Sequence, residues 1–168
     1  VWTHRLPPLS IALSSTIPPG RGLGSSAAVA VAVVRVIAAA AGKAPSAQVV
    51  AELALAAERV VHGRPSGIDT ATVAFERPIR FLRGAFGPTP VGGPLGLVVA
   101  DSGVFSSTRA MVEGVAARRE ADRDGTDGLL DGLGDAARRG GAALAAGDGP
   151  ALGTAMNDAH GLLADLGV

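Results

Sequence analysis

Hydrophobic and polar positions along the chain change period several times. "LSIALSSTIP" (Leu9 to Pro18) sets Ile11, Leu13 and Ser15 against Ser10, Ala12 and Ser14, a period of two that predicts a strand ended by Pro18-Pro19-Gly20. A long Ala/Val run then predicts a helix from about Ser25 to Ala41, with Gly42 as its stop. Ser46 is placed to cap a second helix, "AQVVAELALAAERVVHG", in which Val49, Leu53, Ala56 and Val60 share one face. Gly63 and Pro65 close it, and the polar turn "GRPSGID" leads to two short predicted strands, "TATVAF" and "PIRFL". "GAFGPTPVGGPLG" is rich in Gly and Pro and predicts a linker between two lobes. Beyond it, "LGLVVADSG" predicts a buried strand, and "SSTRAMVEGVAARREAD" a capped helix with Met111, Val112 and Val115 in the core. Two further helices are expected, about Gly128 to Ala146 and Pro150 to Leu166.

Composition narrows the class. The chain has 168 residues, of which 48% are hydrophobic, enough for a packed core. Formal net charge is zero, so bulk electrostatics favour neither a nucleic acid nor an acidic membrane as partner. There is no cysteine, which excludes disulfides and thiolate chemistry and fits a reducing, cytoplasmic setting. The apolar run from Ala27 to Ala41 is too short for a membrane span and is interrupted by Arg35, so it reads as a buried helix of a globular domain. The opening "VWTHRLPPLS" lacks the basic start and apolar block of a signal peptide. A start at Val1 and an end at "LLADLGV" suggest an internal piece of a longer product.

The chemistry is concentrated in "PPGRGLGSSAA". Glycines let a ligand approach the main chain, and a helix N-terminus presents unpaired N–H groups at the positive end of its dipole. The loop from Gly20 to Ser26 is therefore a candidate phosphate cradle. It is not a Walker A loop, since no Lys precedes Ser25-Ser26, and Gly20, Gly22 and Gly24 do not fit the dinucleotide pattern G-x-G-x-x-G. Further along, "ERVVHGRPSGID" carries Glu58 and Asp69. Singly, each reads as a solvated side chain or a turn residue. Beside a phosphate loop they acquire another reading, because phosphoryl transfer needs a hard-oxygen site for a divalent metal and a group to receive a proton. His62 is a second candidate base, since imidazole changes charge near neutrality; only the resemblance described next, which gives that role to the aspartate, makes it a structural residue at a helix end.

"PPGRGLGSSAA" resembles the phosphate-binding motif of the GHMP kinases, and "ERVVHGRPSGID" resembles the mevalonate kinases among them, with their Glu followed by His-Gly-x-Pro-Ser-Gly-x-Asp. "ADSGVFSSTRAMVEGV" is similar to a later segment of the same family. The resemblance implies a partial two-lobed α+β GHMP kinase fold, with residues 1–90 in the nucleotide-binding lobe and 91–168 in the second. It implies ATP and magnesium as cofactors, mevalonate as acceptor in isoprenoid synthesis, and a homodimer as one possible assembly. By the same resemblance Pro19, Gly20, Arg21, Gly22, Leu23, Gly24, Ser25 and Ser26 hold the nucleotide, Ser26 and Glu58 bind metal, and Asp69 is the catalytic base. Ser66, Gly67 and Thr108 would meet the substrate, with Ser107 and Arg109 beside them. Arg64, Arg80, Arg83 and Arg109 are the cations available for the acceptor's carboxylate. Another GHMP kinase substrate and a non-catalytic nucleotide-binding remnant are the rival readings. "FERPIRF" stands where many relatives have a Gly pair. The family's N-terminal Lys strand with Gly-Glu-His and its C-terminal Gly-rich loop have no counterpart here, so the isolated chain is expected to be weakly active or inactive.

Overall fold

The structure, a computed structural model, describes residues 8–62, 65–82, 84–101, 103 and 108–168, with the backbone alone for Val61 and His62. Gly63, Arg64, Arg83, Ser107, the first seven residues and the His62 side chain lie outside that description. The chain divides into two compact units, Val1–Pro88 and Thr89–Val168.

In the first unit, helix α1 spans Ser25–Ala40, α2 Ala47–His62 and α3 Ile68–Phe75, followed by strands β1 (Ile79–Leu82) and β2 (Ala85–Pro88). Gly42, at φ 65°, turns the chain after α1, and Ser46 Oγ accepts from the Val49 amide at 3.4 Å to open α2. The three helices pack on one another around Val31, Val50, Ala51, Ala54, Ala71 and Ala74. β1 and β2 form an antiparallel hairpin with Phe81 opposite Phe86, turned at Gly84, whose φ is 83°. Phe86 meets Phe75 of α3 edge-on at 5.4 Å and stacks on Phe81 at 6.4 Å, tying the hairpin to the helical core.

The structure corrects the sequence reading at several places. "TATVAF" lies in α3 rather than in a strand: Thr70, Ala71 and Ala74, at helical spacing, are its buried face. In α2 the buried face is Val50, Ala51 and Ala54, while Val49, Leu53 and Val60 are exposed. Small residues let helix backbones close on one another, and of the larger residues described in α2 only Val50 is buried with them. Residues 9–18 form no strand; a period of two needs a ladder partner, and among the described residues the hairpin contains the only strands.

In the second unit, helix α4 spans Thr108–Ala121, α5 Arg123–Ala146 and α6 Gly149–Leu166. α5 begins five residues before the expected Gly128 because Asp122 caps it, accepting from the Gly125 amide at 3.0 Å. Asp148 caps α6 in the same way, accepting from the Ala151 amide at 2.9 Å, with Pro150 in the first turn. The α5–α6 pair closes at Gly132, where an added Cβ would lie 3.1 Å from Leu162, and is bridged by Arg139 and Asp158 at 2.8 Å. α4 joins through the Arg118 guanidinium, which donates to the Asp165 carbonyl at 2.6 Å. Met111, Val112 and Val115 are not core, since no residue of α4 is buried. The expected buried strand is likewise an exposed extended segment, with Leu97, Val98 and Val99 at 68%, 98% and 75% exposure. Among the described residues no helix is long and apolar enough to cross a membrane.

Candidate functional site

The glycine loop takes the backbone form its sequence requires. Gly20, Gly22 and Gly24 all have positive φ, at 71°, 69° and 69°, a conformation that costs any residue with a Cβ about 1–2 kcal/mol. Nothing lies within 4 Å of where a Cβ would stand on Gly22 or Gly24, so this side of the loop opens outward. Gly24 is the N-cap of α1 and provides no side-chain cap, while its carbonyl accepts from the Ala28 amide at 2.9 Å. The amides of Ser25, Ser26 and Ala27 precede the first turn's hydrogen bonds, and no acidic side chain lies in that turn. Pro19 sits in the turn ahead of the loop, Arg21 is exposed, and Leu23 is half-exposed between the glycines.

Ser26 is the point of convergence. Its Oγ donates to Glu58 Oε1 at 2.5 Å, joining the start of α1 to a carboxylate near the end of α2, 32 residues further along. Glu58 is only partly exposed, so a hydroxyl and a carboxylate share one oxygen-rich spot directly behind the glycine loop. Among the described residues no group of three His, Cys, Asp or Glu side chains forms a metal cage. Two hard oxygens do suit magnesium, which usually takes one or two protein carboxylates and completes its shell with phosphate and water.

Asp69 reaches the same end of the helical layer by another route. Gly67, the N-cap of α3 at φ 89°, faces Leu55 of α2 so closely that an added Cβ would lie 3.1 Å from Leu55 Cδ2. Leu55 lies one turn before Glu58 on the same side of α2, so α3 starts beside the helix turn that carries Glu58. Asp69 occupies the first turn of α3 and is exposed, in the position where the helix dipole favours a carboxylate. Ser66 orders the approach, its Oγ accepting from the Ile68 amide at 3.3 Å, and the Thr70 hydroxyl donates to the Gly67 carbonyl at 3.1 Å.

The structure thus brings Ser26 and Glu58 into contact and packs the start of α3, the helix that carries Asp69, against Leu55 of α2. Arg80 is exposed on β1. Thr108 begins α4 in the second unit, and Arg109 is engaged by Glu113 at 2.8 Å. That hydrogen bond raises the Arg109 pKa further, keeping the guanidinium charged. Arg35 is the contributor that the sequence reading missed. Its NH1 donates to Glu76 Oε1 at 2.6 Å and its NH2 to the Ala74 carbonyl at 3.0 Å, so it bridges α1 to the end of α3. A single guanidinium in an otherwise apolar helix was the available signal.

The chain is similar to known proteins over most of its length. Residues 2–77 match the family described as GHMP kinases N terminal domain. The chain is 36% identical over 163 residues to a mevalonate kinase of Aeropyrum pernix, covering 95% of this chain and 50% of that protein. A mevalonate kinase of Thermococcus sibiricus is 36% identical over 167 residues, covering 95% of this chain and 49% of that protein. The human mevalonate kinase is 30% identical over 128 residues, or 67% of this chain and 32% of that protein. The chain spans about half the length of the curated archaeal relatives it matches. An open glycine loop before α1, a Ser–Glu contact behind it and these likenesses together place the chain in the GHMP kinase superfamily, as a mevalonate kinase-like member.

Proposed function

We propose that the chain supplies the nucleotide-binding and base-bearing part of a kinase that transfers the γ-phosphoryl group of ATP to the primary hydroxyl of mevalonate. The observation that carries this reading is the Ser26–Glu58 hydrogen bond at 2.5 Å. It brings a hydroxyl and a carboxylate together at the mouth of an anion-friendly loop, where a phosphate-bound cation needs its protein oxygens. The sequence likeness to mevalonate kinases supports the choice of acceptor.

In this reading the main-chain amides from Gly20 to Ser25 hold the phosphates, with Pro19, Arg21 and Leu23 shaping the loop. Ser26 and Glu58 would hold magnesium, which when bound offsets phosphate charge. Asp69 accepts the proton of the attacking hydroxyl as its oxygen bonds to the γ-phosphorus and the bond to the bridging oxygen breaks, releasing ADP. Ser66 and Gly67 border the acceptor. The division into units 1–88 and 89–168 supports two lobes of a GHMP kinase. The cysteine-free composition supports a cytoplasmic setting.

The test is mevalonate-dependent ADP release by the full-length product carrying Asp69→Asn. Turnover should fall by about a thousandfold while ATP affinity stays within twofold of the parent, because the amide keeps the shape and loses the basicity. Unchanged turnover would remove Asp69 from the base role. A strong preference for a sugar hydroxyl in a panel of acceptors would overturn mevalonate as the substrate.

A further inference from the structure

We propose that Arg35 is a positioning residue that sets where Asp69 stands relative to Ser26, by clamping the far end of α3 to α1. The proposal rests on the reading of Asp69 as base and adds a residue that touches neither ATP nor acceptor.

Three contacts define the frame. Ser26 binds Glu58 at the start of α1, Gly67 lies against Leu55 at the start of α3, and Arg35 binds Glu76 and Ala74 at the end of α3. α1 and α3 therefore run in the same direction, with their N-termini beside the end of α2 and Arg35 at the opposite end. α3 has only eight residues, about 12 Å of helix, so a small displacement at Glu76 is carried to Asp69 with little damping.

The far end of α3 calls for such a clamp. Its last turn contains no basic residue, and just past its C-cap the Arg77 guanidinium donates to the Phe75 carbonyl at 3.4 Å, a long contact at the negative end of the dipole. Arg35 adds a second positive charge from α1 through shorter bonds, and its planar fork takes a carboxylate and a carbonyl at once, which a lysine cannot match in geometry. Glu76 is the one non-glycine among the described residues with positive φ, at 53°, while its amide still donates to the Thr72 carbonyl at 3.0 Å. A residue in that backbone region persists where its surroundings over-determine it, and the Arg35 contact to the Glu76 carboxylate acts there beside the amide bond to Thr72. The fully buried wall of α3 is small, Thr70, Ala71 and Ala74, so Arg35 adds a polar tie to a helix end whose large apolar contact is that of Phe75 with Phe86.

The test uses Arg35→Met and Arg35→Lys in the full-length product, beside Asp69→Asn. Arg35→Met should lower kcat about tenfold with KM for ATP unchanged, because Ser26 and the glycine loop stay in place while Asp69 loses its setting. Arg35→Lys keeps one contact and should recover part of the loss. In the same samples, exchange of the Glu76 amide should quicken about tenfold, with the α2 amides unaffected. A normal kcat in Arg35→Met, or a loss shared equally by kcat, KM and thermal stability, would overturn the proposal. If Arg35→Met does not fold, Glu76→Gln removes the charge pair alone and should lower kcat about threefold; no change there overturns it equally. Full activity in Asp69→Asn would instead sink the base reading, while the exchange measurement still reports whether Arg35 holds α3.

Discussion

Replacing Gly67 by alanine probes the joint between α2 and α3 without touching a charged group. Two terms add. The residue sits at φ 89°, and placing a Cβ in that left-handed region costs about 1–2 kcal/mol, part of which alanine returns by stiffening the unfolded chain. The new methyl would stand 3.1 Å and 3.4 Å from the two terminal carbons of Leu55, which must swing off its preferred rotamer at about 1 kcal/mol. The sum is about 2 kcal/mol. Gly24→Ala is the internal control: its φ is 69°, but open space surrounds its Cβ position, so it should cost about 1 kcal/mol from strain alone. Urea unfolding followed by circular dichroism at the helix band, with the m-value checked for constancy, measures both. For a unit of this size the melting point should fall by roughly 10 °C and 5 °C respectively. A cycle with Leu55→Ala isolates the contact, with an expected coupling of about 1 kcal/mol. Equal losses at Gly67 and Gly24, or no coupling to Leu55, would refute the packing of α3 against α2.

Two further outcomes concern the second unit. Thr126 is fully buried and its hydroxyl has no hydrogen-bond partner among the described residues, so Thr126→Val should stabilise by about 1 kcal/mol in thermal unfolding; a loss would mean that the hydroxyl is satisfied in solution. Asp127 accepts two hydrogen bonds from Arg119, at 2.5 Å and 3.0 Å, and these hold its carboxyl below the ordinary 3.8. A depressed carboxylate stabilises the fold fully above its unfolded pKa and loses that contribution as pH falls through the folded value. The melting point should therefore be flat in this respect from neutrality to about pH 5, then decline in acid, with a shallower decline in Asp127→Asn. The pair is solvent-exposed, so the effect is small, and an identical acid slope in the variant would dismiss it.

Much of the architecture was legible before any coordinates. α1, its glycine stop and the serine start of α2 follow from local chemistry, and so do β1 and the two C-terminal helices, although the Asp122 cap moved one boundary. Ser26 and Glu58 could be picked out by motif, but their contact at 2.5 Å could not, because it joins positions far apart in sequence. The misreadings share a cause. Hydropathy points to large residues, so Val49, Leu53 and Val60 defined the wrong face of α2, and Val73 with Phe75 made α3 look like a strand. Apart from Val50, the residues that are in fact buried on α2 and α3, Ala51, Ala54, Thr70, Ala71 and Ala74, are small and give a weak periodic signal. The segment around Val98 failed for another reason: apolar β-branched residues make a strand only where a neighbour supplies the ladder.

The alanine seam between the first three helices has a lasting consequence. With methyl groups in place of leucines at Ala51, Ala54, Ala71 and Ala74, the helices meet there through short side chains. Little oily surface is gained at each such position, so trimming there removes little, whereas adding even two carbons must wedge whole helices apart. Tolerance in this half of the chain is lopsided: its interior forgives loss and resists growth. Because the glycine loop and Asp69 hang from those same helices, an enlarged interior would register first as a misshapen site.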